Sequence, residues 1–284
     1  MRLAEALEAR LKVPVLPVFW VASDDHDWDE ANHATLIGVD NELHRFELTS
    51  PEPDRVPPLH RLTLGSDADA ALEELVQNIP DTDFSRPYVD LIRDGFAAGC
   101  TMPGGFHALL QKLLGRFGLF FTDAAHPALK KHSSELLLAE LGRAQELEGV
   151  LRTTADRLEG AGYSLQVPIM EGGVNLFLEG TAGRERLYRE GADFRLRTSG
   201  EILSTSDISD RVDADPSLLS PNVLFRPVVE SAVFPTLAYV GGPGEMAYFA
   251  QLRDYFEAHD IAMPVVYPRW AVTIVETKIG KVLE

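Results

Sequence analysis

Cysteine is almost absent from the sequence, and its absence excludes two kinds of structure. Cys100 is the single cysteine, so no disulfide can form within the chain, and neither a Cys-x-x-Cys redox pair nor a thiolate zinc site can be built. A lone thiol behaves as a small apolar side chain unless its surroundings lower its pKa. We therefore expect Cys100 to be a core or loop residue without a chemical role.

Long apolar runs are also absent. The longest, residues 13–22, contains ten residues, whereas a membrane-spanning helix needs about 18 or more. The first five residues lead into a charged, amphipathic helical pattern, which differs from a secretory signal peptide. Together with the single cysteine, these features predict a reduced, cytoplasmic protein that does not enter a membrane.

Positive charge is scarce: 26 Lys and Arg residues stand against 44 Asp and Glu residues, and the formal net charge is -18. Such a surface repels phosphates, which argues against nucleic acid or an anionic membrane as a partner. Apolar residues make up 45% of the chain and charged residues 25%, which is the balance of a folded globular protein. The composition therefore excludes a mainly disordered chain.

The chain does contain an alternation of strand and helix patterns. Residues 13–22 are continuous, apolar and β-branched, which is typical of a strand buried on both faces in a parallel sheet. Further short strands are predicted at 118–122 and 235–240, both buried, and at 263–267, and helices at 67–78, 86–98, 106–116, 127–159, 222–234 and 245–259. Strands that alternate with helices predict a doubly wound α/β fold. A strand pair at 37–48 and a small antiparallel β insert at 163–204 interrupt this pattern.

A strongly acidic segment follows the first predicted strand. Residues 24–30 hold five carboxylates and the imidazole of His26, and ligands of open α/β sheets bind at the carboxyl ends of strands. Crowding raises the pKa of at least one carboxyl, which suits a general base, a ribose-hydroxyl acceptor or a divalent-cation site. The alternative is an acidic helix start that faces solvent. His33 lies two helical turns after His26, but without the glutamate of a His-Glu-x-x-His motif the pair does not predict a zinc site.

A glycine turn follows the strand predicted at 235–240. Gly242-x-Gly244-x-x-Ala247 is the minor form of the dinucleotide fingerprint, and its backbone amides could meet a phosphate or a carboxylate. The acidic residue expected about 20 positions later is absent, and Arg269 stands near that place. The turn therefore fits either an anion site or close helix–sheet packing.

Neither a P-loop nor a Gly-x-Ser-x-Gly elbow occurs, which disfavours P-loop phosphoryl transfer and an α/β-hydrolase.

Several segments, in order along the chain, resemble those of the bacillithiol biosynthesis enzymes that add cysteine, the BshC family. The matching segments are 18–27 with Glu30, Asn32 and His33, 118–123 with 127–130, 173–177, 220–227, 234–245 with Ala247 and Tyr248, and 263–269. These six collinear matches cover nearly the whole chain. Two departures are small, since Ser23 stands where the family often has glycine and Asp24 replaces the usual glutamate.

The resemblance implies a Rossmann-like doubly wound parallel sheet with inserted helical and small antiparallel β segments, and the start of a C-terminal coiled coil that dimerises. The predicted divisions are a first core part at 1–49, a helical insertion at 50–100, a core strand and helix at 101–126, a helical and β connecting insertion at 127–219, a second core part at 220–270 and the start of the coiled-coil helix at 271–284. Family members are longer, with a strand and a Gln- and Gly-containing loop ahead of the first helix. Nothing here matches that strand and loop, and we expect a truncated or partial chain.

The reaction assigned to the family is the addition of L-cysteine to the amine of glucosaminyl malate, the last step of bacillithiol synthesis. The resemblance leaves the cofactor open, and ATP or another nucleotide could supply the energy; no metal is predicted. The predicted catalytic residues, which hold an ammonium or remove the amine proton, are Asp25, His26 and Asp27. The predicted substrate-binding residues, which include the partners of the malate carboxylates, are Asn222, Arg226, Gly242, Gly244, Glu245, Tyr248 and Arg269. Asn222 and Arg226 could instead cap and pack a helix.

The implied partners are small molecules, cysteine and glucosaminyl malate, without nucleic acid or membrane, and a second copy of the chain where the coiled coil is present. Two other functions fit the same residues. An NADP-dependent Rossmann oxidoreductase would use Gly242, Gly244 and Ala247, with Arg269 favouring a 2′-phosphate. A non-catalytic remnant would keep the fold and bind anionic ligands or partners.

Overall fold

The computed structural model describes residues 1–275, 277, 279 and 281, and the chain divides into two compact units. The first unit contains Met1–Leu138 and Leu176–Ser220, and the second contains Ala139–Asn175 and Pro221–Glu284. Residues 271–275 form neither helix nor strand. The coiled-coil start predicted at 271–284 includes residues 276, 278, 280 and 282–284, which lie outside the described residues.

The strands, in chain order, are β1 (Val18–Val21), β2 (His33–Ile37), β3 (Leu43–Glu47), β4 (Phe120–Asp123), β5 (Gly173–Gly180), β6 (Gly183–Glu190), β7 (Asp193–Leu196), β8 (Ile202–Leu203), β9 (Leu219–Pro221), β10 (Ala238–Gly241) and β11 (Val265–Pro268). The helices are α1 (Arg2–Leu11), α2 (Trp28–Ala31), α3 (Asp67–Asn78), α4 (Ser85–Phe96), α5 (Met102–Leu114), α6 (Pro127–Gly142), α7 (Ala144–Gly160), α8 (Thr205–Ala214), α9 (Arg226–Val233), α10 (Pro243–Phe249) and α11 (Arg253–Ala258). None of the helices in the described part of the chain is long and apolar enough to cross a membrane.

Parallel strands occur in both units. In the first unit β1 pairs with β4, so that Val21 lies opposite Asp123. In the second unit β10 pairs with β11, and Gly241 lies opposite Pro268. Parallel strands need a crossover connection, usually one that contains a helix, and helices do lie between the paired strands here. These pairs confirm the predicted α/β class.

The predicted strands are shorter and more exposed than the sequence indicated. Only the last part of residues 13–22 forms β1, because Pro14 and Pro17 lack the backbone N–H that a ladder requires. Val18 is 45% exposed and Phe120 is 51% exposed, so the burial on both faces predicted for β1 is wrong, and so is the burial predicted for β4. Among the described residues each of these strands has one neighbour, which leaves their side chains partly uncovered. β10 and β11 are exposed in the same way.

A five-stranded sheet confirms the β insert predicted at 163–204. Its strand order is β8-β7-β6-β5-β9, and β7 runs antiparallel to both β6 and β8. Four leucines on this sheet are fully buried, and burial of each contributes about 2 kcal/mol; they are Leu176, Leu178, Leu187 and Leu196. The antiparallel pair β2 and β3 likewise confirms the strand pair predicted at 37–48, although it begins earlier, at His33.

Helices α3 to α5 lie where helices were predicted, and α3 has the predicted bounds. α4 and α5 cross at two glycines, since a Cβ built on Gly105 would lie 2.2 Å from the carbonyl oxygen of Gly95. A buried cluster packs α2 against α3 and the segment before it; its members are Trp28, Leu59, Leu62, Leu64 and Ala68. This packing fixes the position of the start of α2, because Trp28 is its first residue. It thereby also positions the acidic segment that follows β1.

Candidate functional site

The loop after β1 ties together the carboxyl ends of β1 and β4. Ser23 is buried, and its hydroxyl donates to the carboxylate of Asp123, the last residue of β4. The backbone N–H of Ala125 donates to Oγ of Ser23 at 3.0 Å and to Oδ1 of Asp123 at 2.8 Å. These bonds hold the acidic segment at the edge where open α/β sheets bind ligands.

A buried ion pair lies beside this loop. Lys130, in the first turn of α6, donates from Nζ to Oδ2 of Asp24 at 2.8 Å and to the carbonyl oxygen of Leu219 at 3.0 Å. The side chain of Lys130 is 3% exposed and that of Asp24 is 13% exposed. Breaking such a pair by removing one partner costs about 3–5 kcal/mol, because the other charge is left buried and unpaired. Asp24 is therefore fixed in place and faces the protein interior.

His60 supports the same loop from the 3-10 turn Leu59–Arg61. Its Nδ1 donates to the carbonyl oxygen of Ser23 at 3.1 Å and lies 3.9 Å from Oδ1 of Asp24. Burial lowers the pKa of His60, so its ring is mainly neutral at neutral pH. The backbone N–H of Leu59 donates to the carbonyl oxygen of Asp25 at 2.7 Å. The turn thus holds the loop through hydrogen bonds to the backbone oxygens of Ser23 and Asp25.

Asp25 and His26 are the more exposed part of the segment. Oδ1 of Asp25 accepts the backbone N–H of His26 at 2.7 Å and lies 3.5 Å from Nδ1 of its ring. Arg184, on β6, places Nη1 2.8 Å from Nδ1 of His26 and 3.9 Å from Oδ1 of Asp25. The nearby His26 ring, the His26 backbone N–H and the charge of Arg184 hold the pKa of Asp25 well below its ordinary value. Asp25 is therefore not the carboxyl whose pKa the crowding of residues 24–30 was expected to raise.

Asp27 occupies a helix terminus. Its side chain accepts the backbone N–H of Glu30 at 3.2 Å and caps α2, an arrangement that stabilises a helix by about 1 kcal/mol. This contact matches the helix-start alternative and explains Asp27 without a catalytic role.

Within the part of the chain that the structure describes, no three His, Cys, Asp or Glu side chains are arranged to hold a metal ion.

In the second unit, Asn222 shapes the turn that precedes α9. Its Oδ1 accepts the backbone N–H groups of Leu224 and Phe225, both at 3.0 Å, and its Nδ2 donates to Oδ1 of Asn175 at 3.0 Å. The helix predicted from residue 222 therefore begins later, at Arg226. Asn222 is buried, and its contacts match the capping and packing alternative.

Arg226 forms a polar cluster with Glu230 and Tyr248. Its Nε lies 3.5 Å from Oε1 of Glu230, and its Nη2 donates to the Tyr248 hydroxyl at 3.4 Å. The Arg226 side chain is 26% exposed, so part of it reaches solvent. Burial raises the pKa of Glu230 to about 7, against the opposing effect of the Arg226 charge. A carboxyl that titrates near neutrality is a candidate for proton transfer, and no sequence pattern pointed to Glu230.

The glycine turn after β10 is already occupied by a carboxylate of the same chain. The N–H of Gly242 donates to Oε2 of Glu245 at 2.7 Å, and the Tyr239 hydroxyl donates to Oε1 at 2.8 Å. Nη1 of Arg269 lies 3.9 Å from Oε2 of Glu245. Gly244 lies in the first turn of α10, which has seven residues. A ligand could bind the Gly242 amide only if Glu245 moved, which weighs against both a dinucleotide phosphate and a malate carboxylate at that amide.

Three side chains that organise the acidic loop were not found from the sequence: His60, Lys130 and Arg184. Lys130 ends one of the segments that resemble the family, so a signal for it was present. His60 and Arg184 carry no pattern of their own. The predicted catalytic residues all lie in the first unit and the predicted substrate-binding residues all lie in the second.

The parallel strands, the helices between them and the polar loops at strand ends define a Rossmann-like α/β protein. Residues 1–270 match the family described as "Bacillithiol biosynthesis BshC, N-terminal Rossmann-like domain". The chain belongs to this family, as the resemblance of its motifs predicted.

Bacterial relatives named "Putative cysteine ligase BshC" are similar to this chain over its whole length. The protein of Heliobacterium modesticaldum is 34% identical over 287 residues, that of Koribacter versatilis 33% over 284 residues, and that of Symbiobacterium thermophilum 32% over 297 residues. Each comparison covers 100% of this chain but only 52% or 53% of the relative. The chain thus spans about half the length of the curated relatives that it matches.

Proposed function

We propose that this chain acts in bacillithiol biosynthesis and carries the ligase chemistry that joins L-cysteine to the amine of glucosaminyl malate. The observation that most supports this is the family match over residues 1–270, which includes both polar loops at strand ends. The reaction forms an amide from the cysteine carboxylate and the amine, and it releases water. Because a carboxylate is a poor acyl donor, ATP or another nucleotide is the expected source of energy.

The polar groups of each unit suit the chemistry of these substrates. Arg226 with Tyr248, and Arg269, offer donors for the malate carboxylates, and Gly242 leaves room for the Arg269 guanidinium. Asp25 is a carboxylate at neutral pH because its pKa is lowered, so its role in this proposal is to attract an ammonium group rather than to take a proton. The residues with a supporting role are Asn222, Gly244 and Glu245.

The cellular setting is part of the same proposal. The protein acts in the cytoplasm on small molecules, and its net charge of -18 makes nucleic acid and anionic membranes unsuitable partners. A homodimer is expected where the coiled coil of longer family members is present.

A mass-spectrometric product assay with glucosaminyl malate, cysteine and ATP tests the proposal. It compares this chain, the same chain completed with the remaining part of the Heliobacterium modesticaldum relative, and that relative itself as the positive control. We expect product from the chain or from its completed form, and we expect Asp25→Asn to lower the yield about tenfold or more. Product from the relative, but from neither folded form of this chain, would overturn the proposal.

A further inference from the structure

Contacts within the first unit hold Arg184 in one orientation. Its side chain is 7% exposed, its Nε donates to Oγ of Ser220 at 2.9 Å, and its guanidinium carbon lies 3.9 Å from the centre of the Phe177 ring. A further contact is the approach of Nη1 to Nδ1 of His26 at 2.8 Å. The guanidinium is therefore fixed in front of one nitrogen of the His26 ring.

The chemistry of this contact determines where the His26 proton lies. A guanidinium in a protein stays protonated and has only donors, so Nδ1 of His26 must be the acceptor. A neutral imidazole whose Nδ1 accepts carries its hydrogen on Nε2. A proton on Nδ1 would place two donors against each other across 2.8 Å.

Asp25 is the competing partner of the same ring nitrogen, and its geometry is poorer. Its Oδ1 is 3.5 Å from Nδ1 of His26, a longer distance than that to Arg184, and it already accepts the His26 backbone N–H at 2.7 Å. The Asp25 carboxylate also lies 3.9 Å from Nη1 of Arg184, where it balances the arginine charge. Arg184, rather than Asp25, therefore sets the tautomer.

We propose that Arg184 is a positioning residue that fixes His26 as an Nε2–H donor, so that His26 binds a carbonyl or carboxylate oxygen of the substrate and does not act as a base. The inference takes the identity of the substrate from the proposed function, while the tautomer itself is a property of the unliganded protein. No proton is transferred at His26 in this role. The imidazole supplies one hydrogen bond to an oxygen that carries or develops negative charge.

The tautomer is measured directly by NMR of the 284-residue protein labelled with ¹⁵N-histidine, at alkaline pH and without substrate, with His26→Asn to assign the signals. We expect Nδ1 of His26 to be unprotonated and Nε2 to be protonated. Arg184→Lys, which keeps a donor, should retain this state, whereas Arg184→Met should convert His26 to a mixture of tautomers. A proton on Nδ1 in the unaltered protein, or an unchanged tautomer in folded Arg184→Met, would overturn the inference whether or not the ligase reaction is found.

A kinetic comparison separates a donor from a base. Glutamine can place an amide N–H near the position of Nε2, whereas leucine cannot donate. In whichever form of the chain makes product, we expect His26→Gln to stay within about tenfold of full turnover and His26→Leu to lose about 100-fold or more, the usual effect of removing one such donor. Equal losses in the two variants, with both proteins folded, would contradict the donor role.

Discussion

Some charged side chains of this protein are largely buried. Lys130 pairs with Asp24 in the first unit, and Arg226 pairs with Glu230 in the second. Burying two charges is costly even when they are paired, so each pair depends on both of its members. Burial raises the pKa of Glu230 to about 7, which places its change of charge within the physiological range.

Glu230 makes stability depend on pH in a defined window. Its folded-state pKa of about 7 lies above the ordinary value of 4.5, so the folded protein binds this proton more tightly than the unfolded chain. The resulting stabilisation is complete below about pH 4.5 and is lost as the pH rises through about 7. Glu230→Gln should remove this loss, which amounts to about 3 kcal/mol of unfolding free energy. Urea unfolding across this pH window measures it, with the exposed Glu257→Gln as control; identical profiles for the two variants would contradict the prediction.

The two glycines of the turn after β10 provide a second test at the scale of residues. A Cβ on Gly242 would lie 2.7 Å from Nη2 of Arg269, whereas the nearest atom to a Cβ on Gly244 is Nε2 of Gln166 at 3.8 Å. The Arg269 side chain is 65% exposed, so we expect Gly242→Ala to displace it without unfolding the protein. Under the proposed function, the KM for glucosaminyl malate should then rise about tenfold, whereas Gly244→Ala, which leaves Arg269 in place, should change it less. Equal KM values for the two variants would remove Arg269 from the substrate site.

The acidic segment was predictable because its residues are adjacent in the sequence, but their roles were not. Asp25 and His26 could be identified from the crowding of charge after a strand. Arg184 stands 158 positions from His26, and no local pattern distinguishes it from the other arginines of the chain. Its effect on the tautomer of His26 and on the pKa of Asp25 arises only when the fold brings β6 to the end of β1.

At the scale of elements, the bounds that depend only on residues within one segment were predicted best. α3 has the predicted bounds because its apolar spacing and its acidic first turn operate inside the helix. The strand at residues 13–22 was predicted too long, since an apolar run does not reveal that Pro14 and Pro17 remove ladder donors. α9 begins at Arg226 and not at the predicted residue 222, because the Asn222 side chain accepts hydrogen bonds from the N–H groups of Leu224 and Phe225. Side-chain capping of this kind competes with the helix that periodicity alone predicts.

The crossing of α4 and α5 offers a prediction for these elements. Because the Gly95 carbonyl oxygen leaves no room for a Cβ on Gly105, Gly105→Ala must push the two backbones apart and should cost about 1–3 kcal/mol of stability. Gly149, within α7, has no atom within 4 Å of its Cβ position, so Gly149→Ala should stabilise the protein by about 0.5–1 kcal/mol. Thermal and urea unfolding of both variants measure the difference. Stability changes of the same sign would show that the α4–α5 contact is not the cause.

At the scale of the whole molecule, negative charge is the dominant feature. The excess of carboxylates gives a net charge of -18 and a sequence pI of about 4.8. A charge this far from zero keeps a protein soluble but opposes compaction through self-repulsion. The six-part division predicted from the sequence stays a prediction. Acidic residues occur along the entire chain, so both units carry them.

Salt should therefore stabilise this protein at neutral pH and fail to do so near its pI. Raising NaCl from about 0.01 M to about 0.15 M shortens the screening distance from about 30 Å to about 8 Å, which weakens repulsion among the excess carboxylates and raises the Tm. Near pH 4.8 the net charge vanishes, and the same salt mainly weakens the remaining attractive pairs, so the Tm should stay constant or fall. Chloride is the suitable anion, because sulfate strengthens apolar burial at any pH. An equal rise of the Tm at both pH values would mean that salt acts through burial and that self-repulsion is not what limits stability.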